Sequence, residues 1–89
     1  MGICPTNIVI PDTVLKILND LPKEIRIKFL EQLERLTTNP SYPGLRNEKL
    51  EGSDQWAFSI TMSYRATYVR SKMEIIITAL GTHKEVLGD

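Results

Sequence analysis

Apolar positions along this chain follow one period before Gly44 and another after it. Asn7 to Ile10 is a short β-prone stretch that stops at Pro11-Asp12. Val14, Ile17, Leu18 and Leu21 then recur at i, i+3, i+4 and i+7, the stripe of an amphipathic helix. Asn19-Asp20 before Pro22 breaks that helix, and Pro22 suits the first turn of a second one. In the second helix Ile25, Phe29, Leu33 and Leu36 form the apolar face, and Lys23, Glu24, Lys28, Glu31, Glu34 and Arg35 cover most of the remainder. Asn39-Pro40 ends it, and Pro43-Gly44 continues a loop. These segments predict an αα-hairpin with one greasy side.

Beyond Gly44 the period becomes 2. Trp56, Phe58 and Ile60 alternate with Ala57, Ser59 and Thr61, the pattern of a half-buried strand. Tyr64 to Arg70 and Met73 to Leu80 are rich in β-branched and aromatic residues, and short breaks at 61–63 and 71–72 predict an antiparallel meander. Pairing Ile60 with Tyr64 sets Phe58 opposite Ala66 and Trp56 opposite Tyr68. A two-residue turn at Ser71-Lys72 then sets Tyr68 opposite Ile75, Ala66 opposite Ile77 and Tyr64 opposite Ala79. One face is then apolar throughout and takes the helices. A one-residue slip would bury Arg65 beside Ile60, which the cost of an unpaired buried guanidinium forbids. Ala57, Ser59, Arg65, Thr67 and Thr78 fall on the opposite face, expected to be open. The fold class is α+β: β-αα-βββ, an antiparallel sheet with a two-helix hairpin on one face.

The length of 89 residues fits one domain over 1–89. Cys4 is the only cysteine, so neither an internal disulfide nor a cysteine zinc site is expected, and a reducing, cytoplasmic setting is the natural reading. No signal peptide is visible, and the run Ile75-Ile76-Ile77 is too short to span a bilayer, so no membrane partner is expected. Eleven basic residues balance eleven acidic ones, which argues against a large non-specific grip on nucleic acid.

Several short motifs now stand in a meaningful order. Leu21-Pro-Lys-Glu-Ile25 enters a helix; Asn39-Pro40, Pro43-Gly-Leu-Arg46 and Lys49-Leu-Glu-Gly52 follow it. Trp56 to Ile60, Tyr64-Arg65 inside a strand, and Leu80-Gly-Thr-His-Lys-Glu85 complete the series. In order and spacing, from about Ile8 to Leu87, the chain resembles the RelE/ParE superfamily of toxins from type II toxin–antitoxin pairs. The resemblance to RelE and YoeB implies a ribosome-dependent mRNA endoribonuclease, an mRNA interferase, silenced by a cognate antitoxin. The ParE branch instead poisons DNA gyrase without nuclease chemistry, and a degenerate homologue would keep the fold with little activity. Fold alone does not separate these readings.

Metal-free RNA cleavage needs a base for the 2′-hydroxyl proton, a cation for the charged phosphorane and an acid for the leaving 5′-oxygen. The sequence has no His/Asp/Glu cluster with metal-ligand spacing, so neither a metal nor a cofactor is expected. By resemblance to YoeB-like members, Arg65 supplies the cation and His83 part of the proton transfer. Arg65 is always charged and holds phosphate through two parallel N–H groups. His83 is the only side chain with an unperturbed pKa near neutrality. Glu85 and Glu48 are candidates for base or for orienting His83, and Arg46, Lys49 and Lys84 for RNA phosphates. Ala57 and Ser59 stand where RelE carries lysines, Leu87 where it carries a late tyrosine, and Lys84 where YoeB-like members place one. Imidazole and guanidinium are expected to border one shallow groove floored by Ala57 and Ser59, and an antitoxin is expected to cover exposed apolar residues on the hairpin or a sheet edge.

Overall fold

The computed structural model describes residues 7–39, 41–71, 73–82, 84 and 86. Two prolines set the helix starts. Pro11 (φ −61°, ψ 157°) and Pro22 (φ −55°, ψ 149°) hold extended backbone at the N-caps of α1 (Asp12–Asp20) and α2 (Lys23–Thr38). Neither N-cap side chain makes a capping hydrogen bond, but Asp12 and Glu24 place negative charge in the first turns, where the helix dipole favours it. Pro22 is therefore the cap of α2 and stands one position outside the predicted first turn.

Five strands form one sheet in the order β1-β5-β4-β3-β2. They are β1 (Asn7–Val9), β2 (Glu48–Lys49), β3 (Trp56–Ser59), β4 (Tyr64–Arg70) and β5 (Glu74–Thr82). The meander β3-β4-β5 is antiparallel as predicted, but β1 pairs with β5 in parallel, with Ile8 opposite Ile75, so the sheet is mixed. The helical hairpin between β1 and the meander supplies the long crossover that a parallel neighbour needs. Two short elements escaped the sequence reading: β2, which pairs with Ala57 and Trp56, and a 3₁₀ turn at Pro43–Leu45 that drives Leu45 fully into the core.

Between β3 and β4 the register is the predicted one: Trp56 opposite Tyr68 and Phe58 opposite Ala66, with Ile60 N–H donating to Tyr64 O at 2.9 Å. Between β4 and β5 it differs. Ser71 N–H donates to Glu74 O at 3.0 Å, which moves the turn one residue on from Ser71-Lys72. Tyr68 then faces Ile77, where Ile75 was expected. An irregularity follows between Thr67 and Tyr68, and Thr78 is left without an opposed partner, so Ala66 faces Leu80 and Tyr64 faces Thr82. The physical reason lies in side-chain size. Strict alternation from Ile75 and Ile77 would bury Ala79 and expose Leu80, whereas the bulge buries Leu80 to 4% exposure.

The core lies between this face and the helices. Phe29 of α2 stacks on Phe58 with ring centroids 6.2 Å apart, and Phe58 tilts against Tyr68 at 5.9 Å. Val14, Leu18, Leu33, Leu36, Ile60 and Ile77 close around them. Burial pushes the Tyr68 hydroxyl above its ordinary pKa, opposed by nearby Arg70 and by the bond it donates to Asn47 Oδ1. Ile17, expected in the core stripe of α1, is 41% exposed; its side chain falls just outside the arc that Val14 and Leu18 bury. Among the described residues no helix is long and apolar enough to cross a membrane.

Candidate active site

Arg65 sits in the middle of the meander, opposite Ser59 on β3 and Gly81 on β5, and faces away from the helices. The expected neighbour on the β5 side was Thr78. That residue instead hydrogen-bonds Thr67 (Oγ1 to Oγ1, 2.8 Å) and donates to Gln55 Oε1 at 2.8 Å. The face bearing Arg65 is far less open than a helix-free surface implies: Ala57 is fully buried, Thr67 3% exposed and Arg65 only 8%. The arginine lies across the sheet. Its Nη2 reaches Glu48 Oε2 and the Arg46 carbonyl, each at 3.4 Å, so its side chain crosses β3 on the way to β2. Arg65 Nε is buried with no hydrogen-bond partner among the described residues.

The register sorts the other candidates. Glu48 is opposite Ala57 and therefore shares the face of Arg65, whereas Lys49 is opposite Trp56, on the other face. Arg46 caps the 3₁₀ turn in the left-handed region (φ 51°), a conformation that strains a residue with a Cβ. That turn brings its carbonyl to Arg65. Lys84 is exposed. His83 and Glu85 lie outside the described residues, as does Leu87.

A cavity of about 380 Å³ opens where β3 runs on past β2. One wall is α2, whose Lys28, Gln32 and Arg35 lie at i, i+4 and i+7 on a single stripe. The other holds Arg46, Ser59 and Arg65. Among the described residues no carboxylate lines it. Gln32 ties the walls together: 2% exposed, it donates from Nε2 to Ser59 O at 2.7 Å and to Gly44 O at 3.3 Å, and its Oε1 accepts from Arg35 Nη1 at 2.9 Å. Composition gave no sign of this cavity because the cations come from separate elements. Gln32→Ala is expected to lower the free energy of unfolding by about 1–3 kcal/mol, since it removes the partner of a partly buried strand carbonyl. Urea denaturation measures this, and an unchanged midpoint would mean that the clamp contributes nothing.

Solved structures share this architecture. A chain of the archaeal RelE–RelB complex from Pyrococcus horikoshii OT3 superposes with a TM-score of 0.72 at 28% identity, over 86% of this chain and 93% of that one. The YoeB dimer from Staphylococcus aureus gives 0.72 at 20% identity, over 88% and 97%. The isolated RelE toxin of E. coli gives 0.70 at 18%, over 86% and 83%. Neither a family model nor a curated protein matches the sequence. The order of elements, the mixed five-stranded sheet and the likeness to archaeal RelE over most of both chains place this protein in the RelE/ParE superfamily of toxins.

Proposed function

We propose that this chain is the toxin of a toxin–antitoxin pair and cleaves mRNA on the ribosome by a metal-free route. One observation carries the reading. In a chain of zero formal net charge, Lys28, Arg35, Arg46 and Arg65 converge on one cavity that no carboxylate lines among the described residues. A neutral protein that concentrates its cations this way is built to meet an anion locally.

Arg65 is the cation for the phosphorane. Already held across the sheet by Glu48 and the Arg46 carbonyl, its guanidinium loses little freedom on meeting phosphate. Glu48 is 58% exposed and 3.4 Å from Arg65, so it keeps a free carboxylate oxygen able to take the 2′-hydroxyl proton. The 2′-oxygen then attacks phosphorus, the P–O5′ bond breaks, and the leaving 5′-oxygen takes a proton from His83, which Glu85, two residues further along the chain, orients. The products are a 2′,3′-cyclic phosphate and a 5′-hydroxyl. Arg46 and Lys84 hold flanking phosphates; Lys49, on the opposite face, takes a more distant one.

The partner that silences it is a cognate antitoxin. Leu15 and Ile17 on α1 and Ile27 and Leu30 on α2 are 41–56% exposed, an apolar surface for an extended segment that folds on binding. The P. horikoshii structure is a RelE–RelB complex, and an S. aureus one is a YoeB–YefM toxin–antitoxin complex. One observation favours a second reading, a ParE-like toxin that binds gyrase without catalysis: Arg65 is only 8% exposed and shares its face with Ala57 and Ser59 in place of lysines. Induced expression in a bacterium tests both. Growth arrest with mRNA fragments ending in 2′,3′-cyclic phosphate is expected. Gyrase-linked DNA breaks with intact mRNA would establish the second reading, and unimpaired growth would remove both.

A further inference from the structure

The α2 wall of the cavity has no part in the cleavage chemistry above, yet it is the more elaborately built of the two. Arg35 is fixed from two sides. Gln32 Oε1 accepts a hydrogen bond from its Nη1 at 2.9 Å, and its Cζ lies 4.6 Å from the centroid of the Tyr42 ring. Tyr42 is positioned in turn by Gly44, where an added Cβ would come within 2.7 Å of Tyr42 Cε2. Glycine therefore leaves the space in which the ring leans, and the ring holds the guanidinium. Such a stack fixes an arginine while leaving N–H groups free to donate. Two turns earlier on the same stripe stands Lys28. Among the described residues its one ion-pair partner is Glu31 at 3.8 Å, whose side chain is 53% exposed, so the pair is weak and readily exchanged for another anion.

We propose that Lys28 and Arg35 form a subsite for a second backbone phosphate of single-stranded RNA, next to the scissile phosphodiester held by Arg65. This inference rests on the ribonuclease reading and adds to it the path of the strand. The RNA leaves the scissile position across the free edge of β3 and runs along α2. The cavity volume of about 380 Å³ is near the lower end for ligand sites, room for about one nucleotide unit between the walls. Cations along both walls match a polymer with a charge on every residue better than a single small anion. Lys28 and Arg35 are positioning residues: they touch the substrate backbone away from the reacting atoms.

Short RNAs with a 2′-deoxy sugar at the cleavage position test the subsite without turnover. A dinucleotide carries one phosphodiester and a tetranucleotide three. Lys28→Ala and Arg35→Ala are each expected to weaken tetranucleotide binding about tenfold. Each should also reduce the slope of log affinity against log salt by about 0.7. Neither should change dinucleotide binding. Gly44→Ala displaces the Tyr42 ring and is expected to reproduce the Arg35→Ala loss. Lys28, whose side chain is 42% exposed, guards against misfolding as the explanation. Equal losses for both oligonucleotides, or none for the longer one, would overturn the subsite. So would an oligoglutamate of equal charge that binds as tightly and loses as much in the variants, because the wall would then suit an acidic peptide. Ribosomal mRNA cleavage by the unaltered chain is scored separately, so the ribonuclease reading stands or falls independently.

Discussion

Arg65→Ala is expected to abolish growth arrest and to slow mRNA cleavage in a purified translation system about 100–1,000-fold. The magnitude is that of removing one preorganised donor from a site where negative charge develops in the transition state. Arg65→Lys keeps the charge but loses the planar fork, so it should recover only part of the rate. A structural role alone predicts something different. The partner, Glu48, is 58% exposed, and an ion pair with so exposed a member contributes little to stability. The thermal midpoint should therefore move far less than the rate. Full cleavage by the alanine variant would remove Arg65 from the mechanism. An equal collapse of folding and rate in both variants would make it a structural arginine of the sheet.

The largest effect on stability is expected from Phe58→Ala, at about 3–5 kcal/mol. Phe58 is fully buried on β3, stacked on Phe29 and tilted against Tyr68. Truncation removes its transfer free energy, leaves a cavity that β-sheet backbone cannot close, and breaks both aromatic contacts, each adding about 0.5–1.5 kcal/mol beyond burial. Domains of this size are stable by about 5–15 kcal/mol, so the variant should be partly unfolded at growth temperature and non-toxic with its site residues intact. Calorimetry and near-ultraviolet dichroism measure this directly. A near-native midpoint would mean that the helices collapse onto the sheet to refill the space.

The meander was legible between β3 and β4 because only one register there keeps Arg65 out of the core. Between β4 and β5 the same logic failed. Residues 75–82 are almost uniformly apolar or small, so a slip carries no comparable penalty, and the bulge at Thr78 was hidden inside an apparently regular strand. Its trace is the spacing of Ile75, Ile77 and Leu80, two residues and then three, which breaks the alternation where the strand must bulge. The parallel pairing of β1 was invisible for another reason: three residues carry no periodic signal of partner or direction.

The site divides in the same way. Arg65 and its face follow from alternation, because side-chain direction in a strand is a local property. Glu48 is, from the sequence, a candidate base or an orienting partner for His83, and the fold brings it to Arg65 from 17 residues away. Lys28 and Arg35 read as the solvated face of a helix, which they would be on an isolated α2.

What the sequence determined by itself is what short-range physics governs: two helices, the three strands of the meander, the face that side chains of β3 and β4 take, and most of the apolar set that must meet. Periodicity and the cost of burying charge act over a few residues, so they can be read along the chain. Only the tertiary structure decided which strand edge α2 would approach, and with it the cavity where Lys28, Arg35, Arg46 and Arg65 meet. That outcome depends on Gln32 finding the carbonyls of Gly44 and Ser59, 12 and 27 residues away, and such pairings leave no mark on either partner until the chain has folded.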